Sequence, residues 1–232
     1  MVQLDHIWRY AMHDQPPQTG HYPLAPLRSG LIPPALRRDL ADLNSQYLEL
    51  GLAPGLEDDP RFGWSGAVRR CLLATDAETR ARVAAAPFAL FGLVLGTAGP
   101  RQQAPRVEDG RVVTVPADWR GRFESFAHQS VFLARRLVDG EPMTLQLVFG
   151  LPDDAQRWLV ECRLSQLAEA AGGPRVVRPR WRLHERFWEM LVSAARRGTP
   201  NALQWAHCIG LCLLGAADCD AATAPSRHRP RR

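Results

Sequence analysis

Apolar side chains recur at helical spacing through most of this chain. After Pro33-Pro34, the residues that would share one helix face are Leu36, Leu40, Leu43, Tyr47 and Leu50. This spacing predicts a helix with proline in its first turn. Further along, residues 75–78 (TDAE) have the spacing of a capping box, which predicts the start of an apolar helix that Pro87 bends or interrupts.

Residues 118–217 show the same periodicity in shorter segments that are separated by turn signals. The predicted helices here are Trp119 to Val138, a short one ending at Phe149-Gly150, one opened by Pro152, and one capped by Ser165 through Ala171. Residues 175–178 (RVVR) are β-prone and predict a brief strand. The pattern then predicts an amphipathic helix from Leu183 to Arg197 and a last helix from Thr199-Pro200 to about Ala217.

These elements predict an all-α protein with two helical halves. Residues 1–32, rich in proline, glycine and histidine, predict an irregular arm, and residues 33–98 an N-terminal helical domain. Residues 99–117 predict a connector, in which the DG pair at 109–110 favours a small β-hairpin. Residues 118–217 predict a second helical domain, and residues 218–232 a basic, disordered tail.

Composition indicates a globular protein that keeps its thiols reduced. Of the 232 residues, 46% are hydrophobic and 23% charged, which is enough to build a core. The five cysteines have irregular spacings that suit no disulfide framework. The N-terminus lacks the continuous apolar run of a signal peptide, so we expect a cytoplasmic protein.

Two uncharged stretches, Val83–Pro100 and Gly198–Ala217, could be mistaken for membrane spans. The first contains Pro87 and several glycines, and the second contains His207 and other polar residues. A spanning helix needs about 20 predominantly apolar residues. We therefore expect both stretches to form buried helices, and no membrane association.

Positive charge is concentrated near the C-terminal end. The chain has 29 arginines, no lysine and 24 acidic residues, for a net charge of +5. Residues 172–197 alone carry seven arginines against two glutamates. Within this strip, residues 178–188 (RPRWRLHERFW) are open to two interpretations. One is a solvated helix face with Phe187 in the core; the other is phosphate contact by the arginines, with an exposed aromatic that anchors a partner.

The sequence offers no arrangement of residues that is typical of an active site. Recognisable nucleophile, nucleotide-binding and metalloprotease motifs are absent. The acids at 57–59 and 153–154 fit a solvated loop and a helix start. Cys208 and Cys212 share a helix face, but they alternate with aliphatic residues and no CxxC pair occurs. We therefore expect a protein that is not an enzyme and uses no metal or cofactor.

The second half resembles FlhD, the flagellar transcriptional regulator subunit family of bacteria. The resemblance begins at residues 126–138 (FAHQSVFLARRLV), similar to the family's helix with a YLxLAQRL core. It continues through 145–151 (LQLVFGL), 163–169 (RLSQLAE), 177–181 (VRPRW) and 203–207 (LQWAH), in the family's order. It covers about residues 120–232, as many moderate matches rather than one diagnostic motif.

The resemblance implies an all-α subunit that is not an enzyme and dimerises through its C-terminal helical domain. It also implies assembly with a second, zinc-carrying regulator subunit that binds promoter DNA. The matched positions Glu141, Leu147 and His207 would lie on or near the surface that serves the complex. The chain departs from the family where Val177 replaces a cysteine that can link dimers, and where Pro179 and Trp181 replace phenylalanines. Residues 1–117 have no counterpart.

The leading hypothesis is a transcriptional regulator subunit that contacts phosphate or a partner through Arg178, Arg180, Arg182 and Arg186. The alternative is a secretion or motility accessory protein that docks other proteins on the apolar helix 201–217. Phosphate-based binding should weaken steeply as salt rises, whereas helix docking should respond little. A weaker third hypothesis is membrane association through Val83–Pro100.

Overall fold

The described part of the chain forms nine helices and one two-stranded sheet. This computed structural model describes residues 32–57, 59, 61–95, 117–138, 142–173, 176–181 and 184–223, with the backbone alone described at 117–118, 142–143 and 215–223. The prediction of an all-α protein is confirmed. Residues 1–31 of the predicted arm, the predicted connector hairpin, Glu141 and Arg182 lie outside the described residues.

Helix α1, Pro34–Leu52, begins with proline at its first position, as the sequence predicts. Of its predicted inward residues, Leu40, Leu43, Tyr47 and Leu50 are buried and Leu36 is half-buried. Asn44 is also fully buried, which the apolar pattern did not predict. Its side chain stabilises the structure through three hydrogen bonds: to the carbonyls of Ala84 and Phe88, both at 3.0 Å, and from the Leu90 N–H at 2.9 Å.

Two short helices follow, α2 at Gly66–Leu73 and α3 at Ala77–Ala84. The predicted capping signal is real but is displaced by one residue. The Asp76 carboxylate accepts the Thr79 N–H at 2.6 Å, while the Thr75 hydroxyl donates to the Leu72 carbonyl. Helix α3 ends at Ala84, before Pro87 is reached, because proline disfavours helix in the residue before it.

The uncharged stretch after α3 is buried but not helical, so the expectation of a buried helix there is wrong. Residues 88–93 are all buried, and the last three form strand β1, Phe91–Leu93. The buried backbone groups find partners outside a helix: Asn44 binds several, and the Ala89 N–H donates to the Val148 carbonyl at 2.8 Å. Tertiary hydrogen bonds thus replace the helical ones that Pro87 forbids.

The second half contains six helices in the order that the periodicity predicts. They are α4 at Ala117–Leu137, α5 at Pro142–Phe149, α6 at Asp153–Glu161, α7 at Leu164–Ala171, α8 at Glu185–Arg197 and α9 at Pro200–Thr223. Helix α7 is preceded by Arg163 as its N-cap, not by Ser165 as predicted. Helix α9 runs six residues past its predicted end, into the segment predicted to be disordered, because residues 216–222 (AADCDAA) are rich in the strongest helix former.

Strand β2, Val177–Pro179, confirms the brief strand predicted near residue 177. It pairs antiparallel with β1 in a register that sets Phe91 opposite Pro179, Gly92 opposite Arg178 and Leu93 opposite Val177. The only sheet among the described residues therefore joins the two halves of the chain across the predicted connector.

One core is shared by elements on both sides of the predicted connector, residues 99–117. Helix α1 packs on α3 and α4, and α8 packs on α2, α3 and α9. Tyr47 contacts Phe62, Phe91 and Phe126, with ring centroids between 5.2 and 6.1 Å apart. Residues Leu31–Arg232 form one compact unit, so packing does not divide the described elements at that segment.

Candidate functional site

Arg178 lies at the centre of strand β2, where the neighbouring strand offers a glycine. Val177 is buried and Arg178 is exposed, as alternation along a strand requires. A Cβ atom on Gly92, the cross-strand partner, would lie only 2.9 Å from Nε of Arg178 and 3.0 Å from its Cγ. The arginine stem therefore lies across Gly92, and its Nη2 donates to the Gly150 carbonyl at 3.3 Å.

Arg180 binds the end of helix α5. Its Nη2 donates to the carbonyls of Gln146 and Leu147, both at 2.9 Å, and its Nη1 donates to the carbonyl of Val148. The last carbonyls of a helix have no partner within the helix and carry its negative dipole end. Arg180 therefore acts as a side-chain cap on α5, a structural role that the sequence did not predict.

A glycine also makes room for this cap. Gly150 follows α5 with φ of +67°, a conformation that glycine adopts without strain. A Cβ atom there would lie 3.1 Å from Nε of Arg180. Arg178 and Arg180 are thus each positioned over a glycine, Arg178 over Gly92 and Arg180 over Gly150.

The aromatic residues of the arginine-rich segment belong to the core. Trp181 and Phe187 stack with centroids 4.2 Å apart, and the Trp181 indole N–H donates to the Ala89 carbonyl at 3.4 Å. Trp181, Phe187 and Trp188 are all at most 2% exposed. The second interpretation of residues 178–188 included an exposed aromatic residue that anchors a partner. That part of it is wrong, because none of these rings reaches the surface.

A small cleft lies beside the two arginines, which we call the arginine cleft. Its volume is about 180 Å³, and its walls come from the segment 178–181, from His184, and from Gly150, Leu213 and Leu214. Cavities that hold small molecules are usually larger, at roughly 300–1,000 Å³. The cleft is therefore better matched to a single charged group of a larger partner than to a whole small substrate.

The charge at the arginine cleft comes from arginine. Burial lowers the pKa of His184 below its ordinary value, so its imidazole is neutral at pH 7. Arg186 stands close by in sequence, exposed in the first turn of α8. A cation in that turn opposes the helix dipole, so helix stability gives no reason for an arginine at this position.

The structure separates the other predicted site residues. Leu147 is half-buried on α5 and meets the site only through its carbonyl, which accepts from Arg180. His207 points into the core against the edge of Phe88, with ring centroids 6.1 Å apart. Its Nε2 atom is buried and has no hydrogen-bond partner, and burial lowers its pKa to about 4. The cluster near the cleft therefore contains Arg178 and Arg180 but not the His207 side chain.

The described residues hold no group of three or more metal-ligating side chains. Asp59, predicted to solvate a loop, is instead buried and paired with Arg61. The pKa of the Cys208 thiol is raised by burial and by Cys212, which keeps it protonated. The chemistry that the arginine cleft offers is a positive charge from Arg178 and Arg180, which suits an anion. The absence of enzyme activity stays a prediction.

Trp205 was missed by the sequence analysis as a surface residue. It lies on α9 and is 44% exposed, although the surrounding stretch has no charge. Three and seven residues after Trp205, the same helix face carries Cys208 and Cys212, which are half-buried and exposed. The apolar composition of the helix hid this division into two faces.

No family model matches this chain, and the curated proteins and solved structures contain no match to it. The likeness to FlhD therefore depends on the quoted residues alone. No helix among the described ranges combines the length and apolar character that crossing a membrane requires.

Proposed function

We propose that this protein is a non-enzymatic regulator subunit that dimerises, joins a DNA-binding partner, and contacts phosphate through Arg178 and Arg186. The observation that carries the proposal is that Arg178 lines the arginine cleft and is exposed, while Arg186, eight residues further along the chain, is also exposed. Arginine is the side chain best suited to phosphate, because its planar guanidinium donates in a fixed fork.

Two facts support the choice of these arginines over Arg180. Arg180 is committed to the end of α5, so its removal would disturb the fold. Arg186, by contrast, is exposed and forms no ion pair with any described residue. It occupies a first helical turn where a cation costs about 0.3–1 kcal/mol. A role in binding would account for that position.

The resemblance to FlhD supports the regulator assignment. The quoted residues lie on α4, α5, α7, strand β2 and α9, so they are distributed over the second half rather than on one helix. The partner that this proposal invokes is a second, zinc-carrying subunit, and the nucleic acid is promoter DNA. The two proposed phosphate contacts lie within or next to the matched segment 177–181.

The test is co-purification from the native host at moderate salt, with and without nuclease, followed by DNA binding of the recovered complex. We expect the zinc-carrying subunit to be recovered. Arg178→Glu with Arg186→Glu should weaken DNA binding at least tenfold and lower the salt dependence, since each lost phosphate contact removes about one unit of slope.

The matched control is Arg38→Glu with Arg120→Glu, which makes the same charge change at exposed positions on α1 and α4. It should change DNA binding less than threefold. If the variant at Arg178 and Arg186 binds as the wild type does, the arginine assignment is wrong. If neither the zinc-carrying subunit nor DNA is recovered, the regulator proposal itself is wrong.

A second candidate function is that of a secretion or motility accessory protein, and the exposure of Trp205 on an uncharged helix favours it. Such a protein would bind other proteins and no nucleic acid. Its complexes should survive nuclease and change little with salt, because apolar contacts carry no phosphate dependence.

A further inference from the structure

The arginine cleft has a charged part and an apolar part. Arg178 and Arg180 line it from the segment around strand β2, and Leu213 and Leu214 line it from helix α9. The described residues that line the cleft include two arginines and no acidic side chain, so together they carry a positive charge. A group that fits both parts must therefore carry a negative charge next to an apolar portion.

The two guanidinium groups are held in place by the protein itself. The stem of Arg178 lies across Gly92, and its Nη2 donates to the Gly150 carbonyl at 3.3 Å. Arg180 donates to the last carbonyls of α5. A side chain whose conformation is already fixed loses little conformational entropy when it binds a partner. The charged part of the cleft is thus preorganised for an anion.

The volume of the cleft sets the size of the group that can enter. It is about 180 Å³. An apolar cavity of about 150 Å³ holds one benzene molecule, so the arginine cleft has room for about six to eight non-hydrogen atoms. A leucine at the end of a polypeptide presents about that many atoms in its carboxylate, Cα and side chain. The cleft therefore suits one terminal residue of a larger molecule.

We propose that the arginine cleft binds the C-terminal residue of a partner protein, with its α-carboxylate at Arg178 and its aliphatic side chain against Leu213 and Leu214. A carboxylate has two oxygens in one plane, which match the planar fork of donors on a guanidinium. Arg180, which caps α5, adds positive charge to the same cleft. Capture of a terminal carboxylate is one of the recurring ways in which proteins recognise peptides.

Two other anions match the cleft less well. A phosphate within a nucleic-acid backbone is joined to polar sugars on both sides, so it offers nothing apolar to Leu213 and Leu214. An aspartate or glutamate side chain within a polypeptide carries its carboxylate with no aliphatic branch beside it. A chain end with an aliphatic last residue combines the charge and the apolar branch, and the composition of the cleft favours it for that reason.

This inference deepens the proposed function, which requires a protein partner, and rests on it to that extent. Arg178 takes part in both proposals, whereas Arg186 takes part in the phosphate contact alone. A chain that binds DNA through Arg186 but binds no C-terminal residue would overturn the cleft assignment alone. A chain that binds a C-terminal residue but neither DNA nor the zinc-carrying subunit would overturn the proposed function alone.

The test measures the binding of short, acetylated glycine–serine peptides to the full chain at pH 7 by isothermal titration calorimetry. The reference peptide ends in leucine with a free carboxylate. Its C-terminal amide should bind at least tenfold more weakly, because the charge and its hydrogen bonds are lost while the side chain stays. A free-acid peptide that ends in glycine should bind at least fivefold more weakly, because it keeps the charge and loses the apolar contact.

The same titration with two variants tests the position of the carboxylate. Arg178→Gln should weaken binding of the reference peptide at least tenfold, since it removes the cation at an exposed residue. The matched control is Arg120→Gln, the same change at an exposed residue on α4, which should bind the peptide as the wild type does. Circular dichroism spectra of the three proteins should coincide.

A wild-type chain that fails to bind the reference peptide at about 5 mM would overturn the proposal. Equal binding of the acid and the amide, or of the peptides that end in leucine and in glycine, would overturn it as well. So would an Arg178→Gln variant that binds like the wild type. If a phosphoserine peptide amide binds at least as tightly as the reference peptide, the cleft serves phosphate and the C-terminal residue is the wrong occupant.

Discussion

The two uncharged segments of this chain, residues 83–95 and 198–214, look alike in sequence and differ in structure. The first is non-helical after Ala84 and is almost entirely buried. The second is a helix with one side buried and the other open, where Trp205 and Cys212 reach solvent. The absence of charge alone therefore does not predict complete burial. The tertiary contacts of each segment decide how much of it is buried.

The contacts that hold the first segment come from elements far away in the sequence. Asn44 on α1 binds Ala84, Phe88 and Leu90, and strand β2 pairs with β1. The second segment forms its backbone hydrogen bonds within its own helix. It packs against neighbouring elements on one side only. This difference predicts which substitutions will destabilise the fold and which will not.

Removing the Asn44 side chain should have the largest effect. Asn44→Ala deletes three buried hydrogen bonds and leaves two carbonyls and one N–H of the first segment without a partner. We expect the free energy of unfolding to fall by about 3–4 kcal/mol, measured by urea denaturation. The control is Asn201→Ala, at an exposed position in the second segment, which should change it by less than about 0.5 kcal/mol. Similar losses in the two variants would contradict the comparison.

Acid should weaken the contact between the two segments through His207. Burial lowers its pKa from 6.5 to about 4, so between these values the unfolded chain binds more protons than the folded one. Its contribution is thus complete above pH 6.5 and is lost as the pH falls towards 4, by about 3 kcal/mol in total. In His207→Leu this component should vanish, which urea denaturation at pH 7 and pH 4.5 can measure. An equal pH dependence in both proteins would show that His207 is not the cause.

Arg180 stabilises residues 83–95 indirectly. It donates to the Val148 carbonyl, which also accepts the Ala89 N–H. Arg180→Met keeps most of the aliphatic stem but loses the hydrogen bonds to α5. The expected loss is about 2 kcal/mol of unfolding free energy, by thermal or urea denaturation. Arg186→Met, exposed and outside this network, should lose less than about 0.5 kcal/mol. Equal losses would mean that the α5 cap contributes nothing specific.

Gly210→Ala should have the smallest effect, since two terms oppose each other there. A Cβ atom at Gly210 would lie 2.6 Å from the Phe88 ring, where the two segments meet. Overpacking of this kind costs about 1–3 kcal/mol, and the better helix propensity of alanine returns about 1. We expect a net loss of at most about 2 kcal/mol in urea denaturation. Gly121→Ala, on α4 with nothing within 4 Å, should instead gain up to about 1 kcal/mol. A gain at Gly210 would show that Phe88 can move aside.

Local signals predicted most helices of this fold. The start of α1 and its inward residues Leu40, Leu43 and Tyr47 follow from periodicity and from proline at the first position. The end of α8 at Arg197 follows from Gly198, whose φ of +65° ends the helix. These features depend only on neighbouring residues, which is why the sequence alone could place them.

Features that depend on distant residues escaped prediction. A polar residue on an apolar helix face signals that Asn44 has a buried hydrogen-bond partner. Nothing near it in the sequence indicates that this partner lies in residues 84–90. Strand β1 has its partner 86 residues further along, so no hairpin signal announces it. For the site, the sequence identified the arginines, but it could not distinguish Arg180, which caps a helix, from Arg178, which is exposed.

The pairing of β1 with β2 also sets an order of events during synthesis. Gly92 leaves the ribosome 86 residues before Arg178, its cross-strand partner, so the first segment must wait for its neighbour. Closing so long a loop is entropically costly and slows folding. Until it closes, the apolar residues around Phe91 have no sheet partner and are exposed to aggregation. The arginine cleft consequently forms only in chains that extend beyond β2, and a nascent or truncated chain that ends before β2 lacks it.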